Sequence, residues 1–137
     1  MDDIEAIKQL KARYFRTLDT KDWDGYRQVF TDNVVIDTTE AGGERITGAE
    51  EFLAYLGQAL AGATTVHQGH MPEITLTSDT TATGIWALHD IVIWPGGMRL
   101  DGFGHYYETY AKTDDGWRIA SSKLTRLHAD FVVPENG

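Results

Sequence analysis

Polar and ionisable side chains within the apolar patterning of this chain are where chemistry could reside: Tyr14 on the apolar stripe of a helix, Asp19 at its end, His67 on a strand, and Asp90 and Arg126 on two later strands. Burying such groups costs free energy unless they are paired, so each calls for a partner or a task. His67 stands in Thr64-Thr65-Val66-His67-Gln68-Gly69-His70-Met71, a run with the composition of a strand. A neutral imidazole held by a carboxylate is a competent base near pH 7. Strand alternation sends positions 67 and 70 to opposite faces, so one imidazole points inward, the other outward, and the two do not share a metal ion. Asp19 closes a helical pattern, where the macrodipole disfavours negative charge. It reads either as a site carboxylate or as a solvated loop residue that caps the next turn. Asp90 shares a strand face with Trp86, Leu88 and Val92 and therefore needs a cation, for which Arg126 is the natural candidate. That pair reads as sheet-stabilising or as catalytic. His105, Tyr107 and Glu108, in Gly104-His105-Tyr106-Tyr107-Glu108, are placed to line a cavity or an interface.

The elements that must position these groups are legible in outline. Asp2 or Asp3 caps a first helix in which Ile4, Ile7, Leu10, Lys11, Tyr14, Phe15 and Leu18 recur at helical spacing to about Asp19. Asp22 caps a short second helix with Trp23, Tyr26, Val29 and Phe30. A strand Val34–Asp37 follows, and Thr47-Gly48 opens a third helix bearing Phe52, Leu53, Leu56 and Leu60. After Gly62 the chain turns to β-branched and aromatic runs. These predict strands near Thr64–His70, Glu73–Thr77, Ala82–Trp94, Leu100–Lys112 and Trp117–Phe131, divided by Ser78-Asp79, Pro95-Gly96-Gly97 and Asp114-Asp115-Gly116. Helices first and a long antiparallel meander afterwards indicate an α+β domain.

The 137 residues suffice for one domain, 1–137, with its own core. Apolar residues make up 42% and aromatic ones 11%, which predicts a packed globular chain. There is no cysteine, so thiolate chemistry and disulfides are excluded. Twelve basic against 21 acidic residues leave a net charge of −9, a surface that repels phosphate backbones and anionic lipid. Neither nucleic acid nor membrane is an expected partner. No apolar run approaches the roughly 20 residues of a membrane span, and the acidic Met1-Asp2-Asp3-Ile4-Glu5 start lacks a signal-peptide pattern, so a cytoplasmic location is expected.

Ile7–Asp19, Val66–His70, Gly84–Asp90, Gly104–Glu108 and Gly116–Arg126, in this order, resemble the SnoaL-like branch of the nuclear transport factor 2-like superfamily over nearly the whole chain. The resemblance implies a cone-shaped α+β barrel, three N-terminal helices on a strongly curved, mostly antiparallel sheet around a pocket for a small hydrophobic molecule. Polyketide cyclases, steroid Δ-isomerases, scytalone dehydratase and bile acid 7α-dehydratase share that fold. The last is most similar at its site, with Tyr14, Asp19, His67, Asp90 and Arg126 falling on its tyrosine, aspartate, histidine, aspartate and arginine. By that likeness His67 is the general base, Asp19 orients it and Tyr14 hydrogen-bonds a developing enolate oxygen. Asp90, Arg126, His105, Trp86 and Tyr107 then bind substrate or support the site. The reaction implied is a cofactor-independent elimination, isomerisation or cyclisation with neither metal nor cofactor. The alternative is a non-catalytic binding or accessory domain, including the structural role of a dioxygenase small subunit. Relatives form dimers or trimers through the outer sheet face, so a homo-oligomer using Ile85, Ile91 and Ile93 is expected.

Overall fold

The computed structural model describes residues 2–135. Its first helix, α1 (Asp3–Asp19), begins where Asp2 turns its carboxylate onto the Glu5 amide, Oδ1 to N at 2.8 Å. Ile7, Leu10, Lys11, Tyr14, Thr17 and Leu18 form its buried stripe. Full burial of a large apolar side chain is worth about 1.5–3 kcal/mol, against at most about 0.7 kcal/mol per ordinary residue for helix propensity, so packing seats this helix. Lys21 reverses the chain with φ of 59°, and Asp22 caps the short α2 (Trp23–Arg27) through the Gly25 amide. Strand β1 (Phe30–Asp37), a single 3-10 turn (Thr39–Ala41), the short β2 (Arg45–Thr47) and α3 (Ala49–Ala59) follow. The four long strands are β3 (Thr64–Leu76), β4 (Thr81–Ile93), β5 (Arg99–Thr113) and β6 (Gly116–Val132).

All six strands form one sheet in the order β2-β1-β6-β5-β4-β3. Every neighbouring pair is antiparallel except β1 with β6. Three helices thus pack on a curved, mostly antiparallel six-stranded sheet. The apolar contents between them include Ile7, Leu10, Tyr26, Phe30, Val34 and Ile119, all within 1% of complete burial. On β4 alternation is regular: Ala82, Trp86, Leu88, Asp90 and Val92 point inward. No helix among the described residues is long and apolar enough to cross a membrane.

The structure corrects the sequence reading in three places. The two strands expected at Thr64–His70 and Glu73–Thr77 are one strand, β3, whose register shifts between His70 and Glu73. Met71, with φ of 41° and its side chain in solvent, marks that irregularity. The first strand starts at Phe30, four residues before Val34. Its partner β2, three residues long, gives too short a pattern to read.

Candidate functional site

Backbone register brings the polar residues together. His67 on β3 pairs with Asp90 on β4, and Asp90 pairs with Gly102 on β5, so one row across the sheet carries both side chains. Between β5 and β6 the register slips: Phe103 opposes His128 while Gly104 opposes Arg126. That bulge puts Leu127 outside, 75% exposed, and turns Arg126 inward; a regular ladder places Leu127 opposite Gly104 instead. Arg126 then grips Asp90 with both guanidinium arms, Nη1 to Oδ1 at 2.5 Å and Nη2 to Oδ2 at 2.9 Å. Gly102 makes room for the pair, since a Cβ there stands 2.3 Å from Arg126 Nη1 and 2.7 Å from Asp90 Oδ1.

Asp19, at the end of α1, reaches the edge strand β3. His67 Nδ1 lies 2.7 Å from Asp19 Oδ1, and the His67 amide donates to Oδ2 at 2.7 Å. Thr65 donates its hydroxyl to Oδ1 at 2.9 Å, and Lys21 Nζ in turn donates to Thr65 Oγ1 at 2.6 Å. An ionised carboxylate only accepts, so Nδ1 is the donor to Asp19, and in the neutral imidazole the lone pair then lies on Nε2. Nε2 stands 4.0 Å from Asp90 Oδ2. The His67 side chain is 10% exposed and that of Asp19 21%, because Asp19 stands behind the imidazole on the outer side.

A cavity of about 220 Å³ lies between helices and sheet, lined by His67, Asp90, Tyr14, Tyr26 and Tyr106 at its polar end. Leu18, Ile36, Phe52, Leu60, Val92 and Leu124 are among its apolar walls, with Thr38, Glu44 and Tyr55 also on its lining. Asp19 does not line it; the carboxylate touches the imidazole, and the imidazole touches the cavity. Burial pushes the Tyr14 hydroxyl up to about 12, with the adjacent Tyr26 and Tyr106 hydroxyls pulling it part of the way back. Burial likewise holds Tyr26 and Tyr106 well above their ordinary value. At neutral pH all three are uncharged hydrogen-bond donors.

Beside the cavity lies an ion pair without solvent contact. Lys11 Nζ meets Glu108 Oε2 at 2.8 Å, and Ser122 and Tyr110 donate to the same carboxylate, each at 2.8 Å. Trp86 Nε1 donates to the Tyr110 hydroxyl at 3.0 Å. The Lys11 ammonium sits 3.6 Å from the Tyr14 ring centroid and 3.7 Å from that of Tyr106, a cation held between two aromatic faces. Burial pulls its pKa below the usual value while the Glu108 charge opposes that shift.

The expected residues therefore divide. Tyr14, His67 and Asp90 meet at one cavity, with Asp19 and Arg126 directly behind them. Trp86 faces the interior as expected but supports the Glu108 cluster instead of lining the cavity. His105 and Tyr107 are corrections: both lie on the outer face of β5, Tyr107 44% exposed, because inward positions on this strand are even-numbered. Tyr106 occupies the place assigned to them, opposite Trp86 in register. His70 points outward, and His89 does too, where it binds Asp101 at 2.9 Å and stacks on Phe103. Tyr26, Thr65 and Lys21 went unread as site residues. Their types are common in caps and cores, and only the assembled fold brings them near His67 or Tyr14.

The model of the SnoaL-like domain matches residues 1–123. A probable cyclase of Gibberella zeae, FGR4, is 24% identical over 134 residues, 89% of this chain and 89% of its own length. Among solved structures, a Novosphingobium aromaticivorans protein named after an aromatic ring hydroxylase superposes with a TM-score of 0.89 at 21% identity, covering 95% of this chain and 93% of its own. A second protein of that organism, named after scytalone dehydratase, gives 0.85 at 19% identity, with 96% and 89% covered.

Proposed function

This chain belongs to the SnoaL-like family, and from that premise we propose that it is a cofactor-independent lyase or isomerase, dehydratase-like, acting on a small hydrophobic molecule that bears a carbonyl and a hydroxyl group. The family and the likeness to proteins named as a cyclase and a scytalone dehydratase support a lyase- or isomerase-type role. The observation that carries the finer reading is the His67 imidazole, fixed through Nδ1 by Asp19 at 2.7 Å, on a cavity that Tyr14 also lines.

His67 Nε2 takes a proton from carbon next to, or vinylogous with, the carbonyl. Tyr14 donates to the oxygen on which negative charge develops, in a site walled by apolar side chains, where a fixed donor is worth more than in water. Asp19 stabilises the imidazolium and keeps the ring aligned, the division of labour of a histidine–carboxylate dyad. The C–H electron pair becomes the new C=C bond as the hydroxyl leaves. The proton on Nε2 then passes to the departing oxygen, which is released as water. Without a leaving group, return of that proton to another carbon gives isomerisation. Asp90, neutralised by Arg126, lies 4.0 Å from Nε2 and supports the cationic ring.

The test is elimination of water from β-hydroxy ketones by purified protein. His67→Ala is expected to lower kcat by about 10²–10⁴-fold, the usual contribution of a positioned general base. Unchanged turnover in His67→Ala and Asp19→Asn sinks the proposal.

A further inference from the structure

The turn that ends α1 holds a residue of unexpected type. Lys21 N donates to Leu18 O at 3.1 Å and Asp22 N to Thr17 O at 2.9 Å, the Schellman arrangement, whose left-handed residue is usually glycine. Here that residue is Lys21, with φ of 59°, a conformation that costs free energy for any side chain with a Cβ. A cation favours the end of a helix, but the Lys21 ammonium reaches the Leu18 carbonyl only at 3.4 Å. Its short contact is elsewhere, with Thr65 Oγ1 on β3 at 2.6 Å.

That contact leads to the dyad. An ammonium only donates, so it occupies a lone pair of the Thr65 oxygen and leaves the hydroxyl proton to Asp19 Oδ1, 2.9 Å away. The same Oδ1 meets His67 Nδ1 at 2.7 Å. Thr65 is buried, so the middle of this relay lies in the interior. Burial pulls the Lys21 pKa below its usual value, and the Asp19 charge opposes that shift, so ammonium and carboxylate act on one another directly.

The sign of the effect follows from the charges around the ring. Two carboxylates flank His67, Asp19 at Nδ1 and Asp90 at 4.0 Å from Nε2. Uncompensated, each favours the imidazolium and so removes the lone pair that a base needs. Arg126 offsets Asp90. Tyr14, Tyr26 and Tyr106 face the ring from the cavity as neutral phenols, and Glu44 lies on the same lining. Arg16 and His70 share the outer groove with Asp19 and His67, but neither hydrogen-bonds to the pair among the described residues. The cation linked to Asp19 is Lys21.

We propose that Lys21 is a positioning residue for the Asp19–His67 pair: acting through Thr65, its charge offsets that of Asp19 and holds the imidazole in the neutral form that can take a proton. Its part in turnover rests on the reaction proposed above, whereas its effect on the ring does not. The lysine is kept at a glycine position for its charge.

The test is a nuclear magnetic resonance titration of the His67 ring in the intact, ligand-free chain. Lys21→Gly suits the left-handed turn and removes the cation. The His67 midpoint is expected to rise by roughly 0.5–1 pH unit relative to the parent, the effect of one partly screened charge a few bonds away. Lys21→Asn, also at home in that conformation, moves it the same way, and Lys21→Arg stays nearer to the parent than to Lys21→Gly. A midpoint unmoved or lowered in both neutral variants, which is what a purely structural lysine gives, overturns the assignment. So does Lys21→Arg titrating with the neutral variants. Where water is eliminated, the acid limb of kcat/KM moves to higher pH in Lys21→Gly by the same amount. A raised midpoint without turnover removes the reaction and leaves the charge balance standing, whereas His67-dependent turnover with an unmoved midpoint removes Lys21 alone.

Discussion

At the scale of single residues the site is a set of groups whose protons are placed by their neighbours. Asp19 accepts from the His67 amide, the His67 ring and Thr65, so Asp19→Asn offers an amide donor where only acceptors fit and turns the ring or its tautomer. We expect kcat to fall by about 10²-fold or more while the circular dichroism spectrum and ligand affinity remain those of the parent, as checked by steady-state kinetics beside calorimetry. Lys11 makes the complementary point about stability. Lys11→Met leaves Glu108 as a lone buried charge, for which a loss of about 3–5 kcal/mol in urea unfolding is expected. Changing Glu108→Leu in the same chain recovers most of it, because replacing a buried ion pair with apolar groups is often close to neutral. Tyr14 and Asp90 stood out in the sequence as polar types in apolar company, whereas the grouping of Tyr14, Asp19, His67, Asp90 and Arg126 came from the family resemblance. Tyr26 did not stand out, because an aromatic at helical spacing reads as core, and only the assembled fold sets its ring beside that of Tyr14.

Elements convert those residues into geometry, and their irregularities set which side chains point inward. His105 and Tyr107 were read as candidates because Gly104–Glu108 is visibly polar and aromatic, but the phase of β5 cannot be read without its neighbours. Pairing with Trp86 selects Tyr106. The need of Asp90 for a cation pointed to Arg126, and the two do pair, although the bulge that turns Arg126 inward leaves no signature in composition. The same strand pair makes Gly102 a sensitive position. Gly102→Ala forces the Arg126 guanidinium away from Asp90, and we expect it to destabilise the fold by about 1–3 kcal/mol in denaturant unfolding, with Gly102→Ser no better. On β3 the irregularity is a backbone cost instead. Met71 has positive φ and an exposed side chain, so Met71→Gly should stabilise by roughly 1 kcal/mol, seen as a higher melting temperature. A fall in melting temperature there contradicts the strain.

Over the whole molecule, four buried tyrosines set the alkaline limit. Tyr14, Tyr26, Tyr106 and Tyr110 all have hydroxyl pKa values raised above the ordinary 10.0, with burial the largest cause of each. A raised pKa means that the native state keeps a proton the unfolded chain loses, so this stability is present below pH 10 and is lost as pH climbs past it. Lys11 acts in the opposite sense: its lowered pKa lets stability rise with pH just below 10.5. At about 1.4 kcal/mol per proton and pH unit, four protons outweigh one. Urea midpoints should fall steeply between pH 10 and 11.5, and a flat profile contradicts the burial of these rings. The helices-then-strands order made the α+β class legible, whereas the parallel seam between β1 and β6 was not, since it joins segments about ninety residues apart in the chain. That seam has a consequence in time. During synthesis β1 leaves the ribosome early and waits for β6, the last strand, before its inner edge is closed, and Arg126 arrives on that same strand. A chain stalled before β6 carries Asp19, His67 and Asp90 but neither the cation that steadies Asp90 nor the strand that joins the two halves of the sheet. Protection from proteolysis should therefore come late and all at once as β6 is added, with the cavity beside His67 and Asp90 completed only then.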